Sequence, residues 1–171
     1  MDRARSGGGI LPRVIESWWA PRRVVRGLRA MPERVKLVVL MAAMLIFLLA
    51  QAPVHARAAH LDPSVPLSAR MGGALLAVMF MMPVLVYGLA SVVSFLSRLM
   101  PWRLSHEDSR LALFWALLAV SPAMLLAGLV GGMIGPGNAQ ILTRAVAGIG
   151  FVVIWGAGIA ALARRICQVT I

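Results

Sequence analysis

The sequence predicts an all-α fold, a polytopic membrane protein with four transmembrane helices and a basic, partly amphipathic N-terminal segment. Of the 171 residues, 60% are hydrophobic and only 13% are charged, whereas about a quarter are charged in an average soluble domain. About 20 uncharged apolar residues form a helix that crosses a hydrocarbon core of about 30 Å. The runs long enough to do so cover approximately residues 37–53, 71–96, 111–133 and 145–163. Residues 1–36 then form the N-terminal segment, and residues 37–171 form a single transmembrane domain.

The N-terminal segment holds nine of the 17 basic residues, and its pattern predicts a short helix over residues 17–29. Ser17 is a suitable N-cap, and Pro21 is tolerated in a first helical turn. Apolar side chains recur at spacings of three and four, as in helices that lie in a membrane interface. The alternative is a basic linker without fixed structure, because Gly27 weakens the helix. The residues expected at the membrane surface, on anionic headgroups, are Trp18, Trp19, Arg22, Arg23 and Arg26.

The first apolar run ends at Pro53, and the polar segment 54–70 that follows contains two further X-Pro pairs. Residues before proline favour extended backbone, so we expect a loop here. The tripeptide Ala56-Arg57-Ala58 resembles a signal-peptidase site, but a basic leader of 36 residues is too long for an ordinary signal peptide. We therefore expect the first run to remain as a transmembrane helix.

The second and third runs each contain a proline, Pro83 and Pro122. A proline inside a helix kinks it and leaves the carbonyl four residues earlier without its donor. Ser91, Ser121 or a neighbouring helix are the candidates to satisfy the released carbonyls. Each proline follows an arginine at a similar distance and precedes a Gly-Leu pair. This similarity has two interpretations, an inverted repeat of the kind found in transporters or a chance likeness of two apolar helices.

Glycines cluster in the last two runs. Small residues allow membrane helices to approach closely. In lipid there is no hydrophobic driving force between helices, so close packing has to hold them together. One interpretation is packing of the third span on the fourth within the chain. The other is contact with a second copy of the chain or with another membrane protein. The glycines expected at this packing or partner interface are Gly128, Gly131, Gly132, Gly135 and Gly156.

The distribution of Arg and Lys between the runs predicts an orientation. With both termini in the cytoplasm, 14 basic residues lie inside and three lie outside, as the positive-inside rule requires. Glu107 and Asp108 then begin the third span, where carboxylates favour the positive end of a helix dipole. Ser105 and Ser109 are the possible caps of this helix. All basic residues except Lys36 are arginine, a bias typical of GC-rich bacterial genomes, so we expect a bacterial inner (cytoplasmic) membrane.

The sequence offers little that could support catalysis. No ionisable residue lies in the middle of any apolar run, whereas ion pathways and intramembrane catalysis usually need one. His55, His60 and Asp62 are most simply explained as solvated loop residues, and the single cysteine, Cys167, as an unreactive residue at a helix end. The basic charge lies beside apolar runs, which makes topology a better explanation than nucleic acid binding. We expect no enzymatic activity, no catalytic residues, no cofactor and no metal.

Five short stretches are informative when taken together. They are SWWAPRRV at 17–24, AHLDPSVPL at 59–67, MGGAL at 71–75, RLALFWALLA at 110–119, and the GLV and IGPG elements within 128–137. This set resembles the short Yip1-family membrane proteins of alphaproteobacteria. The resemblance implies a noncatalytic polytopic membrane protein. The chain departs from the family in having four predicted spans where five are typical, and in lacking the acidic Asp-Leu-x-Gly-Pro element of eukaryotic members, so their small-GTPase partners are not implied.

Three functional hypotheses follow. The first is a noncatalytic inner-membrane protein that acts through helix contacts, as an adaptor, assembly factor or accessory subunit, with the bilayer and another membrane protein or itself as partners. The second is a small transporter or lipid-handling protein built on Pro83 and Pro122, which requires a polar cavity where the two kinks meet. The third is recruitment to the membrane surface by the basic N-terminal helix.

Overall fold

A computed structural model describes residues 9–99 and 102–165; the predicted role of Cys167 falls outside them. The fold is all-α, as predicted. Its helices are α1 Ile10–Glu16, α2 Pro21–Gly27, α3 Glu33–Leu61, α4 Leu67–Leu76, α5 Met82–Ser97, α6 His106–Met133 and α7 Asn138–Leu162. A π-helical turn, Ala77–Met81, joins α4 and α5 into one continuous rod. The rod and helices α3, α6 and α7 are each long and apolar enough to cross a membrane.

Helix α6 lies at the centre of the bundle. Every residue from 111 to 121 is buried, and 61% of the apolar window of α6 is buried, against 39% in α3, 28% in α7 and 17% in the α4–α5 rod. Helix α6 packs most extensively on α3 and α7, with α5 along a third side. Phe114 and Trp115 are its largest fully buried side chains, and Tyr87 of α5 meets Phe114 edge-on at 5.0 Å between ring centroids. Helix α6 has protein neighbours on most of its sides, which explains why its sequence is apolar all round.

The first span differs from its predicted form. Helix α3 continues through Pro53 as far as Leu61, so the predicted loop over residues 54–70 is reduced to the short connection between α3 and α4. The apolar run ends at Pro53 but the helix does not, and its polar continuation lies against the end of α6, where Arg57 donates to the carbonyls of Gly132 and Met133. Gln51 donates its side-chain amide to the carbonyl of Phe47 at 3.4 Å.

The carbonyls beside Pro122 are satisfied from two sources. Pro122 releases the carbonyl of Leu118, and the Ser121 hydroxyl donates to that oxygen at 2.7 Å. The carbonyl of Ala119, one residue further on, accepts from the indole nitrogen of Trp18 at 3.0 Å. The predicted role of Ser121 is therefore confirmed at this proline, and the second donor comes from the turn between α1 and α2.

Pro83 is accommodated differently. It follows directly on the π-helical turn, a feature that inserts an extra residue into a helix and disturbs its hydrogen-bond ladder. The Ser91 hydroxyl donates to the carbonyl of Tyr87 at 2.9 Å, and not to the carbonyl of Met79 that Pro83 would release. The proposed role of Ser91 beside Pro83 is therefore wrong.

The N-terminal segment contains two short helices where one was predicted. The chain turns between Glu16 and Pro21, and Pro21 is the first residue of α2, as expected. Ser17 does not cap α2. Its hydroxyl donates to the carbonyl of Arg13 at 2.7 Å and accepts from the indole nitrogen of Trp115 at 2.8 Å. Tertiary contact with α6 thus takes the hydroxyl that local capping would have used.

Candidate functional site

Helices α3 and α6 pack through a glycine interface, which we define as Gly128, Gly131, Gly132 and Gly135. A methyl group at Gly128 would overlap the carbonyl oxygen of Ala50 and lie 2.7 Å from its carbonyl carbon. At Gly132 it would lie 2.7 Å from the carbonyl carbon of Pro53. Gly131 faces Val54 of α3 and Gln140 of α7. Gly128, Gly132 and Gly135 therefore bring the third span onto the first span of the same chain. The expected packing of the third span on the fourth is present as well, and a methyl group at Gly158 of α7 would lie 3.3 Å from the side chain of Ala112.

The end of α6 is closed by Arg57 of α3. Its Nη1 donates to the carbonyls of Gly132 at 3.3 Å and Met133 at 3.2 Å, which have no partner inside the helix. Gly135 has φ +94°, and a side chain there would meet the Arg57 guanidinium at 2.6 Å. The left-handed backbone and the arginine both require glycine at this position. The glycine was noticed in the sequence, but the arginine that it admits was not.

Five other glycines in the apolar helices have open space where a side chain would be. A methyl group added at Gly156 or Gly148 of α7 would have no neighbour within 4 Å, and the same holds for Gly72, Gly73 and Gly88 on the α4–α5 rod. Gly156 is therefore unlike the other predicted interface residues, since it lies on an outer face of the bundle. The exposed surface around it carries large apolar side chains.

The N-terminal segment packs into the bundle between α6 and α7. Val25 is fully buried and faces Gly158, and the Trp18 ring lies over Gly150, where a methyl group would be 2.8 Å from it. Gly150 and Ala119, the hydrogen-bond partner of Trp18, both lie well inside apolar runs. Trp18 thus packs against the middle of α6 and α7, because Gly150 and an accepting carbonyl provide a site for it there, and its contact with lipid headgroups stays a prediction.

The remaining predicted membrane-surface residues lie on the outside of this segment. Trp19 is 80% exposed, and Arg22, Arg23 and Arg26 are also exposed. Arg23 is 3.9 Å from the Glu16 carboxylate, with both side chains solvent-accessible, so this pair contributes little to stability. Contact of these four residues with lipid headgroups stays a prediction.

Ion pairs join the N-terminal segment to the starts of α3 and α6. Arg29 donates to the Asp108 carboxylate at 2.6 Å, and Arg110 lies 3.0 Å from a Glu33 oxygen. Lys36, only 3% exposed, lies 3.2 Å from Glu33. This network was not anticipated, because its members lie far apart in sequence.

The predicted cap of α6 is confirmed for Ser105, whose hydroxyl accepts from the N–H of Asp108 at 3.0 Å. The other candidate, Ser109, instead donates to the carbonyl of Ala90 at 2.7 Å and ties α6 to α5. The start of α6 is thus fixed both by its own cap and by a neighbouring helix.

Among the cavities of the described residues, two lie at opposite ends of the bundle. One, of about 520 Å³, opens beside the start of α6. The other, of about 270 Å³, has an apolar floor that includes Met124 and Gly128, and its polar lining comprises Gln51, His55 and Arg144. Among the described residues, no group of three or more His, Cys, Asp or Glu side chains is placed to hold a metal ion.

No family model, no curated protein and no solved structure matches this chain, so membership of the Yip1 family stays a prediction.

Proposed function

We propose that the protein is a noncatalytic integral membrane protein that acts through helix contacts, as an adaptor, assembly factor or accessory subunit of a larger complex. The observation that carries this proposal is the pair of exposed glycines on α7, Gly148 and Gly156, which have no neighbour within 4 Å. They lie on one i, i+4 row of the helix, with the exposed Val152 between them.

The glycine interface of α6 shows why such positions favour a partner helix. Gly128 and Gly132 admit the backbone of α3 at distances that no side chain would allow. A glycine facing lipid gains nothing comparable, because it presents little apolar surface and lowers helix propensity. The exposed glycines of α7 are therefore suited to the same kind of close contact with a helix from another chain.

The dense packing of α6 favours this function over transport. The transporter hypothesis requires a polar cavity where Pro83 and Pro122 meet. Residues 111–121, which lead up to Pro122, are all buried and pack against three helices. The cavity of about 270 Å³ lies beyond Pro122 and has mainly apolar walls.

The proposed location is the bacterial inner membrane with both termini in the cytoplasm, which the distribution of basic residues supports. In this orientation the starts of α3 and α6 and the end of α7 face the cytoplasm.

Native co-purification tests the proposed function. The full chain is extracted from its own membranes in mild detergent, and its partners are identified by mass spectrometry. We expect Gly148→Leu combined with Gly156→Leu to release the partner, since a leucine blocks close backbone approach. The control is Gly72→Leu combined with Gly88→Leu, which makes the same two changes at exposed glycines of the α4–α5 rod that have no neighbour within 4 Å. Extraction of the unaltered protein as an isolated monomer, or equal partner loss in the control, would contradict the proposal.

A further inference from the structure

The cavity beside the start of α6 is lined by three arginines and two carboxylates. Arg29, Arg98 and Arg103 line its wall together with Glu107 and Asp108. Its volume of about 520 Å³ lies within the range of small-molecule sites, about 300–1,000 Å³. The question is whether the carboxylates already neutralise the arginines or leave positive charge available to a ligand.

Each carboxylate is engaged by a cation other than Arg98 and Arg103. Asp108 accepts from Arg29 at 2.6 Å, and a Glu107 oxygen lies 3.8 Å from the Lys36 ammonium. Among the described residues, no carboxylate forms an ion pair with Arg98 or with Arg103. The cavity therefore retains the charge of two guanidinium groups.

Arg98 has one polar contact of its own, since its Nη2 lies 3.3 Å from Nε2 of His106. That contact is compatible with a neutral imidazole that accepts the hydrogen bond. It removes no positive charge, and the guanidinium has other N–H groups available for a ligand.

The backbone on either side of these arginines is fixed by buried serines. The Ser97 hydroxyl accepts from the N–H of Leu104 at 3.2 Å, and the Ser94 hydroxyl donates to the carbonyl of Leu104 at 3.1 Å. Both serines are 1% exposed. Arg98 directly follows Ser97 and Arg103 directly precedes Leu104, so the backbone of both arginines is held in place before any ligand binds, and little ordering is needed.

A short strand pairing brings further arginine to the same corner. Strand β1, Trp102–Arg103, pairs antiparallel with strand β2, Arg164–Arg165, so that the backbone of Arg103 lies opposite that of Arg164. This pairing holds the end of the fourth span next to the backbone of Arg103.

We propose that this cavity binds a phosphate group, carried either by an anionic lipid headgroup or by a soluble phosphate compound. Guanidinium groups form paired, charge-assisted hydrogen bonds to phosphate oxygens. The cavity lies where the apolar spans end, which is the level at which lipid phosphates occur. This inference does not depend on the proposed partner contacts of α7.

Binding is tested with the full chain in nanodiscs. One arm adds pyrophosphate to phosphatidylcholine nanodiscs, and the other replaces part of the phosphatidylcholine with phosphatidic acid. The readouts are the thermal unfolding midpoint and, in the second arm, the phosphatidic acid retained by the protein in native mass spectrometry. A response to phosphatidic acid alone identifies a lipid headgroup site, and a response in both arms identifies a site open to solution. No response in either arm would overturn the proposal.

Variants that remove one positive charge distinguish binding in the cavity from general electrostatic attraction to the protein surface. We expect Arg103→Gln and Arg98→Gln each to weaken binding about tenfold, the effect of losing a charged hydrogen bond of about 1.5 kcal/mol. The matched control is Arg34→Gln, because Arg34 is exposed at the same end of the bundle and lines none of the cavities described above. Equal weakening in all three variants would show general electrostatic attraction and would refute a defined site. Arg98 and Arg103 are both exposed, and if one variant fails to fold, the other still decides between these outcomes.

Discussion

The glycine interface makes a sharp prediction about Gly128. In Gly128→Ala the new methyl group would overlap the Ala50 carbonyl oxygen and lie 2.7 Å from the carbonyl carbon, where carbon atoms normally approach to about 3.5–4.0 Å. The obstructing atoms belong to the backbone and cannot rotate away, so α3 and α6 must separate by about 1 Å. Overpacking of this kind costs about 1–3 kcal/mol, and it also loosens contacts along both helices.

The matched control is Gly156→Ala. The chemical change is the same, but the new methyl group has no neighbour within 4 Å. Alanine is favoured over glycine in a helix by about 1 kcal/mol, so this variant should be as stable as the unaltered protein or slightly more stable. The comparison therefore separates the effect of the interface from the effect of helix propensity.

Both variants are measured by unfolding in mixed micelles with increasing dodecyl sulfate, followed by tryptophan fluorescence and helical circular dichroism. We expect the unfolding midpoint of Gly128→Ala to fall and that of Gly156→Ala to stay or rise. If Gly128→Ala were as stable as Gly156→Ala, the close approach of α3 and α6 would be refuted.

Two further predictions concern polar groups at the two ends of the bundle. Ser17→Ala leaves the indole N–H of Trp115 buried without its acceptor and should lower the unfolding free energy by about 0.6–1.7 kcal/mol, the range of such hydrogen bonds in membrane proteins. In a Trp115→Phe background there is no indole N–H, so most of this loss should disappear; a double-mutant cycle without coupling would contradict the hydrogen bond. In the α3–α4 connection, the hydroxyl and N–H of Ser64 and the positive charge of Arg70 hold the pKa of Asp62 below its usual value. The stabilisation of this turn by the Asp62 carboxylate should therefore be complete above the usual aspartate pKa. It should be lost as the pH falls through the lowered pKa of Asp62. A carboxyl NMR titration checks this, and Ser64→Ala should raise the pKa toward the ordinary aspartate value; an unchanged pKa in that variant would show that Ser64 is not the cause.

The fold class could be predicted from the sequence because it depends on properties that add along the chain. Four apolar runs without internal charge specify four long helices whatever their arrangement. The cap at Ser105 and the place of Pro21 in a first helical turn could also be predicted, since each depends on a few neighbouring residues. The end of α3 was missed, because Pro53 and the polar residues after it are typical of a loop, and their contact with the end of α6 joins residues far apart in sequence.

The arrangement of the site could not be predicted in the same way. The glycines of α6 indicated that the backbone of another helix would approach. Ala50 and Pro53, which supply that backbone, lie far away in sequence, and nothing in their local sequence indicates this contact. The same holds for Trp18, which resembles an interfacial tryptophan until Gly150 and the Ala119 carbonyl are brought together on facing helices. A hydrogen bond or a close contact between distant residues depends on which helices become neighbours, and local sequence carries little information about that choice.

The sequence by itself determined that this chain consists of long apolar helices, where the central helix α6 begins, and that its second half would admit another backbone. Only the tertiary structure decided that α3 of the same chain supplies this backbone and that the N-terminal segment enters between α6 and α7. It also decided that two arginines of one cavity have no carboxylate partner within the described part of the chain. The physical reason is that hydrophobicity and helix propensity are properties of single residues and short segments. Close packing and charge compensation, in contrast, are properties of pairs that only the folded chain brings together.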